Sequence, residues 1–264
     1  MTTVLAIITA LLYLTAAFSV YTRLFKAKGP NPKLFFSLGC AACFSHCLLI
    51  SHLIFSDAKV NFSLLNVTSL VALIIALSVT ALSLRAKINL ILPGVYTFAG
   101  SFLLIALLIP DSGTLAIDPS QVVLVLHISL ALLAFGVLVI STLFAIQVNF
   151  INYKLKTKNI SAVNHLPPLM QVETQLFRLL ITGVLLLIAS QFLGGLFIDS
   201  FFAKDNLHKT VLSLIALVIY LVIIWGHYHL GWRGHRIMIL STIATAFLTL
   251  SYFGSRFVRE ILLS

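Results

Sequence analysis

Eight histidines stand out in a chain of 264 residues that is 60% apolar and only 9% charged. Five of them, His46, His52, His127, His208 and His227, fall within or at the ends of long apolar stretches. The other three, His165, His229 and His235, fall in polar segments between such stretches. An ionisable side chain inside lipid is costly, so its presence points to function by default. Neutral imidazole is a standard iron ligand, and two axial histidines are a common way of holding haem. The competing reading is that a membrane histidine simply hydrogen-bonds a neighbouring helix.

The spacing limits which histidines can act together. His46 and His52 are six residues apart, which at about 100° per residue puts them on different helix faces. His46 shares its face with Gly39 and Ala42, and small residues line close helix contacts in membranes, so His46 is expected to face inward. A bis-histidine pair must therefore come from different helices. His127 with His208 is the preferred pair, with His46 and His52 as second choices, and Lys204 or Lys209 is expected to meet the propionates.

Cys40, Cys43 and Cys47 are spaced three and four apart, which predicts one shared face of small packing residues. Cys40-Ala41-Ala42-Cys43 opens like a haem-attachment motif, but Phe44 stands where that motif needs histidine.

The elements that must position these groups follow from composition. A mean hydropathy of +1.11 leaves too little polar surface to coat a water-soluble globule. A span needs about 20 mostly apolar residues. Eight stretches qualify: 3–22, 34–55, 62–84, 88–109, 120–148, 176–198, 208–228 and 235–255. The first lacks a basic lead-in and reads as a retained span rather than a cleaved signal. The predicted fold is all-α, a polytopic bundle of about eight transmembrane helices forming a single domain over 1–264. The short break at Arg85–Lys87 predicts a tight hairpin between spans three and four. The stretch Leu166–Phe177 is expected to form a short surface helix.

Lys and Arg gather on the cytoplasmic side of a membrane. Of the 17 such residues, twelve lie in, or within the first turn beyond, the segments after spans one, three, five and seven; Lys59, Lys204, Lys209, Arg256 and Arg259 are the other five. Both termini are therefore expected on the outer face. His127 and His208 then lie near the outer surface, and His46 lies near the middle of the bilayer. The net charge of +10 is spread over short clusters between spans, which excludes the basic face of a nucleic-acid-binding domain. Nothing in the sequence forms a carboxylate pair, His-Glu-x-x-His or nucleophile constellation, so no enzyme activity is expected.

Residues 125–136, Val-Leu-His-Ile-Ser-Leu-Ala-Leu-Leu-Ala-Phe-Gly, and the region from Thr182 onward carry a family likeness. The latter holds Trp225-Gly226-His227, Gly231-Trp232-Arg233-Gly234 and Ser251-Tyr252-Phe253-Gly254. These motifs resemble the cytochrome c assembly family of CcsA/CcmC/HemX type, nearest to its short HemX-like or YpjD-like branch, over about residues 60–260. The resemblance implies eight spans in the bacterial inner membrane and the binding of haem b. It implies His127 as an outer ligand and His227 as a further one, with cytochrome assembly proteins as partners beside haem and lipid. The family's tryptophan-rich outer segment has no counterpart, since Gly194–Lys209 contains no tryptophan. His208 in that stretch is the candidate substitute ligand. The resulting expectation is a membrane protein that handles or senses haem in cytochrome c assembly or tetrapyrrole homeostasis. The alternatives are a non-haem accessory subunit of a partner membrane protein and, further off, a transporter broken at Pro93–Gly94.

Overall fold

The computed structural model describes residues 2–24, 26, 29–54, 60–61, 63–85, 88–108, 116–117, 122–157, 167–197 and 204–254, with backbone only at 60–61, 64, 116–117 and 204–206. Eight α-helices lie among them. They are α1 (Thr2–Tyr21), α2 (Pro32–Ile54), α3 (Leu64–Leu82), α4 (Leu92–Ala106), α5 (Val122–Lys156), α6 (Leu169–Phe197), α7 (Lys204–Leu230) and α8 (His235–Thr249). Lipid offers the backbone no hydrogen-bond partners, so apolar stretches of this length must satisfy their amides internally, as helices do. Seven of the helices are long and apolar enough to span a membrane, and α4 is a shorter apolar helix. The chain is a polytopic helical membrane protein. Two minimal strands, β1 (Val60–Asn61) and β2 (Ala116–Ile117), form a two-stranded sheet.

The boundaries differ from expectation in three places, each with a physical cause. Span four shrinks from 88–109 to Leu92–Ala106, because Ile88–Ile91 form a turn and Pro93 falls in the first turn of the helix. Proline lacks an amide hydrogen and suits a position where none is needed, so it starts α4 and does not break it. Span five runs on to Lys156, giving 35 residues and about 52 Å, far beyond the roughly 30 Å of hydrocarbon. Its last turn carries Lys154 and Lys156, where cations complement the helix dipole. The separate surface helix expected at Leu166–Phe177 is absent; from Leu169 these residues are the first turns of α6, which is continuous to Phe197.

The chain divides into two compact units. The first comprises Met1–Ala116 and Tyr153–Pro168, the second Ile117–Asn152 and Leu169–Ser264. In the first, α1 packs on α2 and α4, and α3 packs on the same two helices. The closest approach is at Gly39 of α2, where a Cβ would collide with the Tyr96 hydroxyl of α4.

In the second unit, α7 packs on α6 and α8. Thr142 of α5 meets Thr245 of α8 at 2.7 Å, and Tyr220 of α7 reaches the same Thr245 hydroxyl at 2.8 Å. Beyond Thr249 the last turn widens into a π-helix, Leu250–Gly254. The Ser251 hydroxyl donates to the Lys209 carbonyl at 2.7 Å. Tyr252 and Phe253 lie edge-on to Phe135 of α5, each with ring centroids 5.6 Å away.

Candidate functional site

His127 lies in the second turn of α5, half-buried. Its Nδ1–H donates to the Ser190 carbonyl of α6 at 2.8 Å. The Ser190 hydroxyl returns a bond to the His127 carbonyl at 3.2 Å and lies 3.2 Å from Nδ1. A carbonyl can only accept, so the proton of the neutral ring is fixed on Nδ1 and the lone pair on Nε2. Metal-binding histidines are held in this way, with one ring N–H tied to a carbonyl so that the other nitrogen is oriented and more basic. One residue along α6, Gln191 donates to the Ser213 hydroxyl of α7 at 2.6 Å, while its buried Oε1 has no hydrogen-bond partner among the described residues. This end of α5, α6 and α7 thus gathers imidazole, amide and hydroxyl groups.

The two motifs that carried the family likeness also meet here. Phe135, near the end of 125–136, makes the edge-on contacts with Tyr252 and Phe253. Sequence alone offered no signal for this contact, because the partners are more than a hundred residues apart.

The other candidates have different surroundings. His208 is exposed in the opening turns of α7. Lys209 is half-buried, and the Lys204 side chain lies outside the described residues, as does His165. His52 is exposed on the last turn of α2. His227 is half-buried near the end of α7, stacked on Phe177 of α6 with ring centroids 3.5 Å apart and planes 16° from parallel. Its Nδ1–H donates to the Trp232 carbonyl at 3.0 Å. The α7–α8 turn makes this possible. Gly231 takes φ +65°, a left-handed conformation that suits glycine, and the Trp232 amide bonds back to the Gly226 carbonyl at 3.1 Å. Gly226 is also where the Trp232 ring lies, in space that any Cβ would occupy. His229, expected in a polar segment, sits in the last turn of α7 instead, and His235 is the first residue of α8, where the predicted span 235–255 begins.

His46 faces inward and is fully buried. Its Nε2 lies 2.9 Å from the Ser69 hydroxyl of α3, and its Nδ1 lies 3.2 Å from the Tyr13 hydroxyl of α1. Both nitrogens are thus engaged by side chains, and iron ligation would require one of these bonds to break. The contacts continue from Tyr13 to Cys43 at 3.6 Å, from Cys43 to Thr80 at 3.8 Å and from Thr80 to Tyr96 at 2.8 Å. The shared cysteine face needs correction. Cys43 is buried, but Cys40 and Cys47 are exposed. At about 100° per residue these two are rotated by roughly 40–60° from Cys43, past the edge of the buried stripe. Among the described residues no group of three or more His, Cys, Asp or Glu could hold a metal ion.

The model of the cytochrome C assembly protein family matches residues 34–263. The chain belongs to that family. It is also similar to the inner membrane protein YpjD from three Escherichia coli strains. The identity in each case is 38% over 206 residues, covering 78% of this chain and 78% of the relative. No solved structure matches. The match begins at α2, ahead of the stretch whose motifs carried the likeness, and takes in every histidine of the chain. With its apolar helices, the protein is a multi-pass protein of the bacterial inner membrane, in a family defined by cytochrome c assembly.

Proposed function

We propose that this protein binds haem b at the outer end of its second four-helix unit and handles or senses haem during cytochrome c assembly or tetrapyrrole homeostasis. The observation that carries this reading is the clasp between His127 and Ser190. A fixed Nδ1–H bond to a backbone carbonyl leaves Nε2 as the basic nitrogen, and this outer-shell arrangement suits a neutral imidazole that ligates iron. The donor set therefore fits a haem iron. The π-turn aromatics Tyr252 and Phe253, seated against Phe135, offer an apolar surface suited to a porphyrin.

His208 is the proposed second axial ligand, and Lys209 the proposed partner of a propionate. His52, His46 and His227 rank behind them. His46 is the least accessible of these because both its nitrogens are bonded. When bound, haem would supply an iron centre and a visible chromophore. The protein's own work is to hold the tautomer, cover the macrocycle and keep it at the outer face. It acts by binding, not by catalysis, with haem, lipid and cytochrome assembly proteins as its partners.

The test is the absorption spectrum of detergent-purified protein after haem is supplied. A Soret band in the wild type that is lost in His127→Ala and weakened or shifted in His208→Ala is expected. A wild-type protein with no Soret band, which co-purifies with one membrane partner regardless of His127, would instead support a non-haem accessory subunit.

A further inference from the structure

A cleft of about 150 Å³ opens at the end of the first unit where α1 begins, α2 ends, α3 begins and α4 ends. The distribution of Lys and Arg puts this end on the outer face. Its walls are apolar, with Leu49, Leu65 and Leu103 prominent, and its polar lining includes Asn66 and Ser69. Ser69 is almost completely buried and is the same residue that bonds His46. The cleft therefore reaches the end of the buried chain that runs through His46, Tyr13, Cys43, Thr80 and Tyr96.

Every member of that chain can both donate and accept, so it has two self-consistent proton arrangements. In one, Tyr13 donates to His46 Nδ1 and His46 Nε2–H donates to Ser69, which leaves the Ser69 hydrogen to point elsewhere. In the other, Ser69 donates to Nε2, His46 Nδ1–H donates to Tyr13 and Tyr13 donates to Cys43. Ser69 can thus present either a donor or an acceptor to the cleft.

We propose that this cleft binds a small uncharged molecule with a ring-sized apolar body and one hydroxyl or carbonyl oxygen, which hydrogen-bonds Ser69. The size follows from the volume, since an engineered cavity of roughly 150 Å³ holds benzene. The lack of charge follows from the lining, which among the described residues contains no acidic or basic side chain, so an ion would find no charged partner there to offset its lost hydration. The oxygen follows from Ser69, whose proton can be directed either way by His46. The site is separate from the proposed haem site and does not depend on it.

The probe is 4-fluorophenol, followed by fluorine NMR on the full chain in lipid nanodiscs, with fluorobenzene and 4-fluorobenzoate as comparators. A saturable 4-fluorophenol resonance is expected, with fluorobenzene weaker and 4-fluorobenzoate not bound. Ala106→Phe, which fills the cleft from α4, should abolish the resonance. Ser69→Ala should weaken 4-fluorophenol by roughly tenfold and leave fluorobenzene unchanged. A resonance that persists in Ala106→Phe reports partitioning into lipid and overturns the proposal, as does the absence of saturation in the wild type. If Ala106→Phe does not fold, Ala6→Leu fills the same space from α1. If neither folds, equal affinities for wild type and Ser69→Ala overturn the proposal.

Discussion

His46 in the first unit and His127 in the second are the same residue type in two kinds of setting. His46 is held at both nitrogens by side chains from two other helices, and no part of it reaches the surface. The Nδ1–H of His127 is bonded to a backbone carbonyl, and the ring is half-buried. The first arrangement uses up the imidazole as a connector between helices. The second fixes the tautomer and the orientation of the ring through a backbone carbonyl. The two histidines thus differ in the kind of partner that each has, side chains of two other helices in one case and a backbone carbonyl in the other.

The contrast can be broken most sharply at the cofactor. His127→Ala should remove nearly all the Soret absorbance of haem-loaded protein, while His46→Ala should leave it close to wild type. Equal loss in both variants would erase the distinction. The next effect should be on folding. Gly39→Leu forces a side chain into the space of the Tyr96 hydroxyl and should cost about 1–3 kcal/mol, read as a lower midpoint of thermal unfolding in detergent.

His46→Ala should also destabilise, by about 1–3 kcal/mol, because Tyr13 and Ser69 each lose a buried partner. Thr245→Val removes the hydroxyl shared by Thr142 and Tyr220. Membrane hydrogen bonds average about 0.6 kcal/mol, so its effect should be smaller than that of His46→Ala. The smallest change is expected from Arg233→Ala. Its 3.4 Å pairing with Glu173 leaves the arginine 72% exposed and the glutamate 14% exposed; water screens the arginine end, so the pair should contribute no more than about 1 kcal/mol.

Much of this arrangement is legible in the sequence. Eight apolar stretches became eight helices because lipid leaves a backbone few other choices. The inward face of His46 followed from Gly39 and Ala42. What stayed hidden was contact between helices. Nothing near residue 46 announces Tyr13 or Ser69, and nothing near residue 127 announces Ser190. Hydropathy also misses helix that continues into water. Asn149, Asn152 and Lys154 ended the apolar stretch in the sequence but not the helix. The cysteines misled because a spacing of three and four only approximates one face.

The shortness of α4 has a consequence for the surrounding lipid. Fifteen residues make about 22 Å of helix, against hydrocarbon of roughly 30 Å. Phe98 and Ile105 on this helix are exposed, while Ile88 and Ile91 of the preceding turn are buried, so the acyl chains beside α4 meet a low wall. A short wall of this kind is met by local thinning of the bilayer, by snorkelling side chains or by association, each at a cost of a fraction of a kcal/mol per Å of mismatch. Reconstituted protein should therefore be more heat-resistant in membranes of short-chain lipids than in those of long-chain lipids, and within one membrane it should settle where the leaflets are thinnest.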